Sequence, residues 1–312
     1  MEKDAKIYIA GHCGMLGSAI ERRLQTEGYR NLVGKSKVEM DLRDQQAVRD
    51  FLDQEKPEYV FLAAARVGGI KANDTYSADF IYDNLMIECN VIHNSYLCGV
   101  RKLLFLGSAC IYPKFAPQPI KEEHLLTGLL EPTNEAYAVA KISGISLCKM
   151  YRKQYGCNFI SAMPNNLYGP NDNYHPENSH VIPGLLRRIH EAKVAGKEEV
   201  VCWGTGEPKR EFLYVEDLAD ACLFLMKNYS GKKHINIGTG KEIPIKEVNE
   251  LIAKVVGYEG RIVWDTSKPD GTPRRLLDIS KIKAMGWQAR TELEEALELT
   301  YEDFLKGNLR GE

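Results

Sequence analysis

The stretch KIYIAGHCGMLGSAIERRL, residues 6–24, constrains the fold more than any other part of the chain. Gly11, Gly14 and Gly17 stand three apart between an apolar, β-rich run and a helical pattern. Glycines at that junction allow a tight turn and let backbone N–H groups and a helix N-terminus approach a pyrophosphate closely. A strand, a glycine loop and a helix in this order open a dinucleotide-binding unit. The alternation then continues through NLVGK, DQQAVRDFLDQEK, EYVFLAAA, a long segment to Leu97, and KLLFLGSA. Strands alternating with helices predict a parallel sheet covered on both faces. The expected fold is therefore α/β, a Rossmann-type doubly wound parallel sheet.

A chain of 312 residues has room for a second lobe. After a loop rich in Pro, Gly and Glu at 114–134, AYAVAKISGISLCKMYRKQYG predicts a helix of about five turns, stopped by Gly156. The polar, turn-forming run NDNYHPENSHV then marks a lobe boundary near 170–181. We expect residues 1–164 plus about 211–240 to form the cofactor-binding domain. About 165–210 plus 241–312 would form a smaller, discontinuous α/β substrate-binding lobe. With 44% apolar and 27% charged residues and a formal net charge of −2, the chain offers no field for nucleic acid or an anionic membrane. No apolar run reaches bilayer length and the first residues lead straight into a strand, so a cytoplasmic location is expected. Eight scattered cysteines, without a CxxC pair or a histidine cluster at ligand spacing, indicate neither a disulfide frame nor a metal site.

The end of the second strand separates the two nicotinamide cofactors, because NAD calls for a carboxylate there and a 2′-phosphate calls for cations. It reads VGKSK, with Lys35 and Lys37 and no acid, which favours NADP. The DLRD segment places Asp41 and Leu42 where an adenine edge can be bound, and LAAARVGG allows close backbone approach.

YAVAK puts Tyr137 and Lys141 four residues apart, on one face of a helix. An ammonium beside a phenol favours the phenolate, so the spacing predicts a lowered Tyr137 pKa and a group that exchanges a proton with a carbonyl or alcohol oxygen. Ser108, at a strand end, can bind the same oxygen. Hydride transfer needs no thiol, so Cys110, two residues on in GSACIYP, either packs or serves a second reaction.

The glycine loop, the serine before YP and the YxxxK pair together resemble the extended short-chain dehydrogenases/reductases that act on nucleotide sugars. GHCGMLGSAI, AAARVGGI, NDTYSADFIYDN, GSACIYPK, EPTNEAYAVAKI, NNLYGPNDNYHPENSHVIPGLLRR and KPDGTPRRLLD are more closely similar to the GDP-L-fucose synthases, through nearly the whole chain. That resemblance implies epimerisation of GDP-4-keto-6-deoxy-D-mannose at C3″ and C5″, followed by NADPH-dependent reduction at C4″. It implies Ser108, Tyr137 and Lys141 as the reducing set, with Cys110 as base and His180 as acid of the epimerising pair. A thiol of reference pKa about 8.5 and an imidazole of about 6.5 bracket neutral pH.

The implied cofactor contacts are Gly11, Cys13, Gly14, Met15, Leu16 and Gly17 in the loop, then Lys35, Lys37, Asp41, Leu42, Ala63 and Ala64. They continue with Leu106, Gly107, Lys141, Pro164, Asn165, Asn166, Leu167 and His180. Arg188 and Arg210 would hold the diphosphate, Trp203 would stack on the nucleotide, and Asp270 would accept from guanine or ribose. Members of the family often have arginine where this chain has Cys13, so the resemblance implies use of NADPH with tolerance of NADH. Relatives usually pair through two long helices, which makes a homodimer the expected assembly. The alternative enzyme is a nucleotide-sugar 4-epimerase or 4,6-dehydratase with tightly bound NAD. A catalytically silent dinucleotide-binding regulator is a further alternative, against which the intact Ser/Tyr/Lys set speaks.

Overall fold

The computed structural model describes residues 1–267, 270 and 272–307. Its first half alternates as the sequence predicts: β1 Ile7–Ala10, α1 Met15–Thr26, β2 Leu32–Val33, α2 Gln45–Glu55 and β3 Tyr59–Leu62. Next come α3 Ile70–Thr75, α4 Ser77–Leu97, β4 Lys102–Leu106, α5 Glu135–Tyr155 and β5 Phe159–Pro164. β1, β3, β4 and β5 are buried along their whole length, which is why they read as unbroken apolar runs rather than alternating ones.

Helix ends follow local chemistry. Asp44 accepts from the N–H groups of Gln46 and Ala47 to start α2, and Gly156, at φ +72°, ends α5 by donating its N–H to the Arg152 carbonyl. α4 and α5 lie side by side, 21 residues each.

The second half contains β6 Asn166–Tyr168, α6 Val181–Val194, β7 Glu199–Trp203, β8 Lys209–Arg210 and β9 Phe212–Tyr214. It continues through α7 Val215–Asn228, β10 Ile235–Ile237, β11 Ile243–Pro244, α8 Ile245–Val256, β12 Arg261–Asp265, β13 Arg274–Arg275, α9 Ser280–Ala284 and α10 Leu293–Leu305. The main sheet is parallel, in the order β10-β5-β4-β3-β1-β2. Chain order reverses at β1, so the crevice beyond its carboxyl end is where a ligand of such a sheet sits.

Two apolar cores result. The first surrounds the main sheet and takes in α7 and β10, together with Leu277, Ile279, Ile282 and Trp287 from the last part of the chain. The second is built from α6, α8 and α10 against β7, β9 and β12. Among the described residues, no helix is long and apolar enough to cross a membrane, and no cluster of His, Cys, Asp and Glu could hold a metal ion.

Candidate active site

The glycine loop closes on itself. Gly11 has φ +91°, and a Cβ there would lie 2.8 Å from the Ala64 backbone at the end of β3. Any side chain on Gly17 would strike the Gly11 carbonyl, so α1 starts directly against the loop, with Gly14 as its N-cap. The loop thus presents bare backbone and a helix N-terminus, a cradle suited to a pyrophosphate. Met15 and Leu16 form the first turn of α1.

Beyond the loop, Lys35, Lys37, Asp41, Leu42 and Ala64 line one cavity of about 400 Å³. Arg43 and Arg66 line it too, but both are paired with Asp83 at 2.8 Å, and Arg43 also grips Asp41. Lys35 is paired too, 3.5 Å from Glu39. Cys13 is exposed on the loop with its sulfur 3.3 Å from His12 Nε2. Its carbonyl accepts from the Asn171 side chain, which ties the lobe-boundary segment to the glycine loop.

The remaining expected cofactor residues stand at the carboxyl ends of neighbouring strands: Ala63 after β3, Leu106 and Gly107 at β4, and Pro164 to Leu167 across β5 and β6. The Asn165 amide donates to buried Glu211 at 2.5 Å, and the Asn166 amide to the Glu211 carbonyl at 2.9 Å. These two side chains are therefore committed to Glu211, and the Asn165 N–H donates to the Ile237 carbonyl. Taken together, the cradle and the basic cavity fit a phosphorylated dinucleotide.

The chemistry gathers at the end of β4. Ser108 caps a single 3-10 turn, Ala109–Ile111, and accepts from the Cys110 N–H at 3.5 Å. Tyr137 and Lys141 come in from α5. Lys141 is buried, donates to the Leu106 carbonyl at 3.1 Å, and lies 5.7 Å from the centre of the Tyr137 ring. Phe80 of α4 stands edge-on to that ring at 6.4 Å.

The expectation of a lowered Tyr137 pKa is not met. Burial pushes the phenol well above its usual value, and negative charge at Cys110 and Glu88 pushes the same way. The main reason is the burial of the ring itself; in addition Lys141 faces a second partner, its Nζ lying 3.1 Å from buried Glu88 on α4. Cys110 is also pushed up by burial, against the pull of Ser108, Arg275 and Lys141.

His180 caps the N-terminus of α6 on the facing lobe. The residue keeps an exposed surface, while protein around the ring desolvates it and lowers its pKa. No hydrogen bond joins it to Cys110 among the described residues. The connection is indirect: Gly69 donates to the Asn178 carbonyl at 2.9 Å, and Gly68 lies against Phe80, the neighbour of Tyr137.

Of the expected substrate residues, Arg188 is exposed on α6 and reaches the Val201 carbonyl at 3.4 Å, and Trp203 is 68% exposed at the end of β7. Arg210 on β8 is held down to about 10, first by burial and then by the charge of Arg275, while Asp270 opposes this. Both Asp270 oxygens accept from Thr205, at 2.9 and 2.7 Å, so this carboxylate anchors the turn after β7. Residues 268, 269 and 271 of the KPDGTP motif, and 308–312 of the expected substrate lobe, lie outside the described residues.

Two residues escaped the sequence reading. Arg275 pairs in register with Arg210 between β13 and β8, and its charge reaches Cys110. Glu88 sits beneath Lys141. For Arg275 the doubled arginine in TPRRLL was the available signal; for Glu88 there was none.

This arrangement defines a nucleotide-dependent oxidoreductase site on a doubly wound sheet. Residues 7–238 match the model of the NAD dependent epimerase/dehydratase family. The chain is 62% identical over 305 residues to GDP-L-fucose synthase 1 of Arabidopsis thaliana, covering 98% of this chain and 94% of that protein. It is 53% identical over 314 residues to GDP-L-fucose synthase of Escherichia coli, covering 98% of each. The structure of a GDP-L-fucose synthetase from Naegleria fowleri bound to NADP superposes with a TM-score of 0.92 at 30% identity, over 98% of this chain and 96% of that one. The chain belongs to the NAD dependent epimerase/dehydratase family, and within it to the family of the GDP-L-fucose synthases.

Proposed function

We propose that the chain converts GDP-4-keto-6-deoxy-D-mannose to GDP-L-fucose, epimerising C3″ and C5″ with Cys110 and His180 and reducing C4″ with Ser108, Tyr137 and Lys141. The coarser activity, an NADP-dependent oxidoreductase with epimerase activity, follows from the identity with the GDP-L-fucose synthases and from the NADP-bound structural relative. The observation that carries the finer reading is the placement of a buried thiol two residues after Ser108, in the turn that Ser108 caps, and beside the Tyr137/Lys141 pair.

Protons on carbons flanking a ketone are acidified because the carbanion delocalises onto oxygen. Ser108 and Tyr137, as hydroxyl donors, would hold that oxygen while Cys110 removes a proton from one face and His180 returns one to the other. Bound NADPH supplies the hydride for the last step. Tyr137 would give its proton to the C4″ oxygen, and Lys141, fixed on the Leu106 carbonyl, would keep the phenol in place. Arg188, Arg210 and the newly placed Arg275 are suited to the diphosphate, and Trp203 to the base. We assign residues 1–164 with about 211–240 to the cofactor and about 165–210 with 241–312 to the sugar nucleotide, with 277–287 tying the second lobe to the first core.

The test is GDP-4-keto-6-deoxymannose in deuterated water, with NADPH and NADH supplied separately. Cofactor oxidation with deuterium at both C3″ and C5″ is expected; oxidation without deuterium would leave a simple ketoreductase. NADPH should be preferred and NADH tolerated, and Cys13→Arg should raise the preference for NADPH about tenfold, the worth of one charged phosphate contact. A preference for NADH would remove Lys35 and Lys37 from the site.

We infer a homodimer paired through α4 and α5, because those helices carry Tyr82, Leu97, Met150 and Tyr155 at 44–59% exposure. Light scattering should give twice the 35.2 kDa of one chain, and a monomer at micromolar concentration would refute the pairing.

A further inference from the structure

Beneath the catalytic tyrosine the fold buries a charge that the reaction described above leaves without a task. The Glu88 side chain is 1% exposed and that of Lys141 2%, with Oε1 and Nζ 3.1 Å apart. Space for the carboxylate comes from Gly144, nearly one turn after Lys141 on α5. A Cβ on Gly144 would lie 2.7 Å from Glu88 Oε2 and would collide with the Phe105 ring. Lys141 is otherwise bounded by the Leu106 carbonyl and by the Phe105 and Tyr137 rings, at 4.8 and 5.7 Å from their centres. A buried carboxylate is costly, and well-packed apolar residues at a helix seam are often as stable as an ion pair or more so. Stability alone therefore does not account for a glutamate here.

We propose that Glu88 is a positioning residue for the reduction: it holds Lys141 beneath Tyr137 and offsets part of the ammonium charge, adding to burial in favouring the phenol form that Tyr137 needs as a proton donor. This rests on the reading of Tyr137 as the donor to C4″.

The direction of each charge supports it. A lone ammonium this close would favour the phenolate, whereas a donor must be the phenol. Glu88 acts in the opposite sense and raises Tyr137. The carboxylate is itself finely balanced, because burial raises it while Lys141 and the Gly144 N–H pull it back, leaving it at about 7. Its contact with Lys141 is a buried ion pair at 3.1 Å. The titratable groups that face Glu88 are Lys141, Tyr137 and Cys148 from α5, and its own neighbour Cys89. On the β4 side lie the Phe105 ring, which flanks the same Gly144 space, and the Leu106 carbonyl that accepts from Lys141. Glu88 is the sole carboxylate in that set.

The experiment is the pH dependence of single-turnover NADPH oxidation in full-length Glu88→Gln and Glu88→Asp, with fold checked by circular dichroism and by NADPH binding. In Glu88→Gln the alkaline decline should begin about one pH unit earlier than in the unmodified protein, the size of a neighbouring-charge effect. Glu88→Asp, with a longer gap to Lys141, should shift in the same direction by less. A slower Glu88→Gln with its alkaline decline unmoved would make Glu88 a packing residue and overturn the proposal. Should Glu88→Gln fail to fold, Glu88→Asp decides alone: an earlier decline supports the proposal and an unmoved one overturns it. Tyr137→Phe in the same assay separates the two claims. If reduction persists there, the donor reading fails; if reduction is lost while the Glu88→Gln limb stays put, only the role of Glu88 fails.

Discussion

Replacing Tyr137 with phenylalanine should slow NADPH oxidation about a thousandfold while part of the C3″ and C5″ proton exchange continues. The substitution removes one oxygen and keeps the ring that packs edge-on against Phe80, so the fold should be unaffected. Loss of a positioned proton donor is worth about 10²–10⁴ in rate, or roughly 3–5 kcal/mol of barrier. Burial holds the phenol well above its usual pKa, so the donor form is present across the neutral range, and reduction should be flat with pH there. On the proposed mechanism exchange would depend less on Tyr137, because Ser108 would remain to hydrogen-bond the enolate oxygen while Cys110 and His180 would move the protons. A variant that loses exchange and reduction in equal measure would mean Tyr137 acts mainly through the enolate. One that keeps reduction would place the donor elsewhere.

The features legible in the sequence were those that depend on near neighbours. Buried parallel strands declare themselves as apolar runs, and α5 appears with its cap because its pattern and Gly156 are contiguous. The Gly11–Gly17 loop is equally local. What escaped depends on distant pairs. Glu88 lies in a helical pattern, DFIYDNLMIEC, where an acid looks like a solvated face; only Gly144 on another helix makes the space that buries it. The predicted fall in the Tyr137 pKa failed because YAVAK shows the lysine but neither the packing that buries the phenol nor the carboxylate behind the lysine. Arg275 reaches the site through the register of β13 on β8, which pairs segments far apart in the chain. Asp270 meets Thr205 of the turn after β7, a contact between distant segments that the sequence does not display.

Cys110→Ser should reduce incorporation of solvent deuterium at C3″ and C5″ at least a hundredfold and leave NADPH binding and the capacity for hydride transfer intact. Serine has nearly the same shape and can keep the 3-10 turn at Ala109–Ile111, but its hydroxyl is a far weaker acid than a thiol, and its anion is correspondingly scarce. The structure sharpens what the thiol must do. Burial keeps Cys110 protonated and desolvation keeps His180 neutral, so the pair rests as thiol and imidazole. Cys110 can serve as base only after its proton has left, and neutral His180 is an available acceptor through substrate or solvent. That transfer creates a base on one side and an acid on the other without changing the number of protons bound. Exchange in the unmodified protein should therefore be flat from below pH 6.5 to above pH 9, falling at low pH as His180 protonates and changing at high pH as Cys110 ionises without a partner. A bell centred near neutrality would mean that the two groups titrate at ordinary values and that the burial of Cys110 is relieved during turnover. Undiminished exchange in Cys110→Ser would assign the thiol to packing and require another base, for which Tyr137, the proposed donor to the same oxygen, would be the first residue to test.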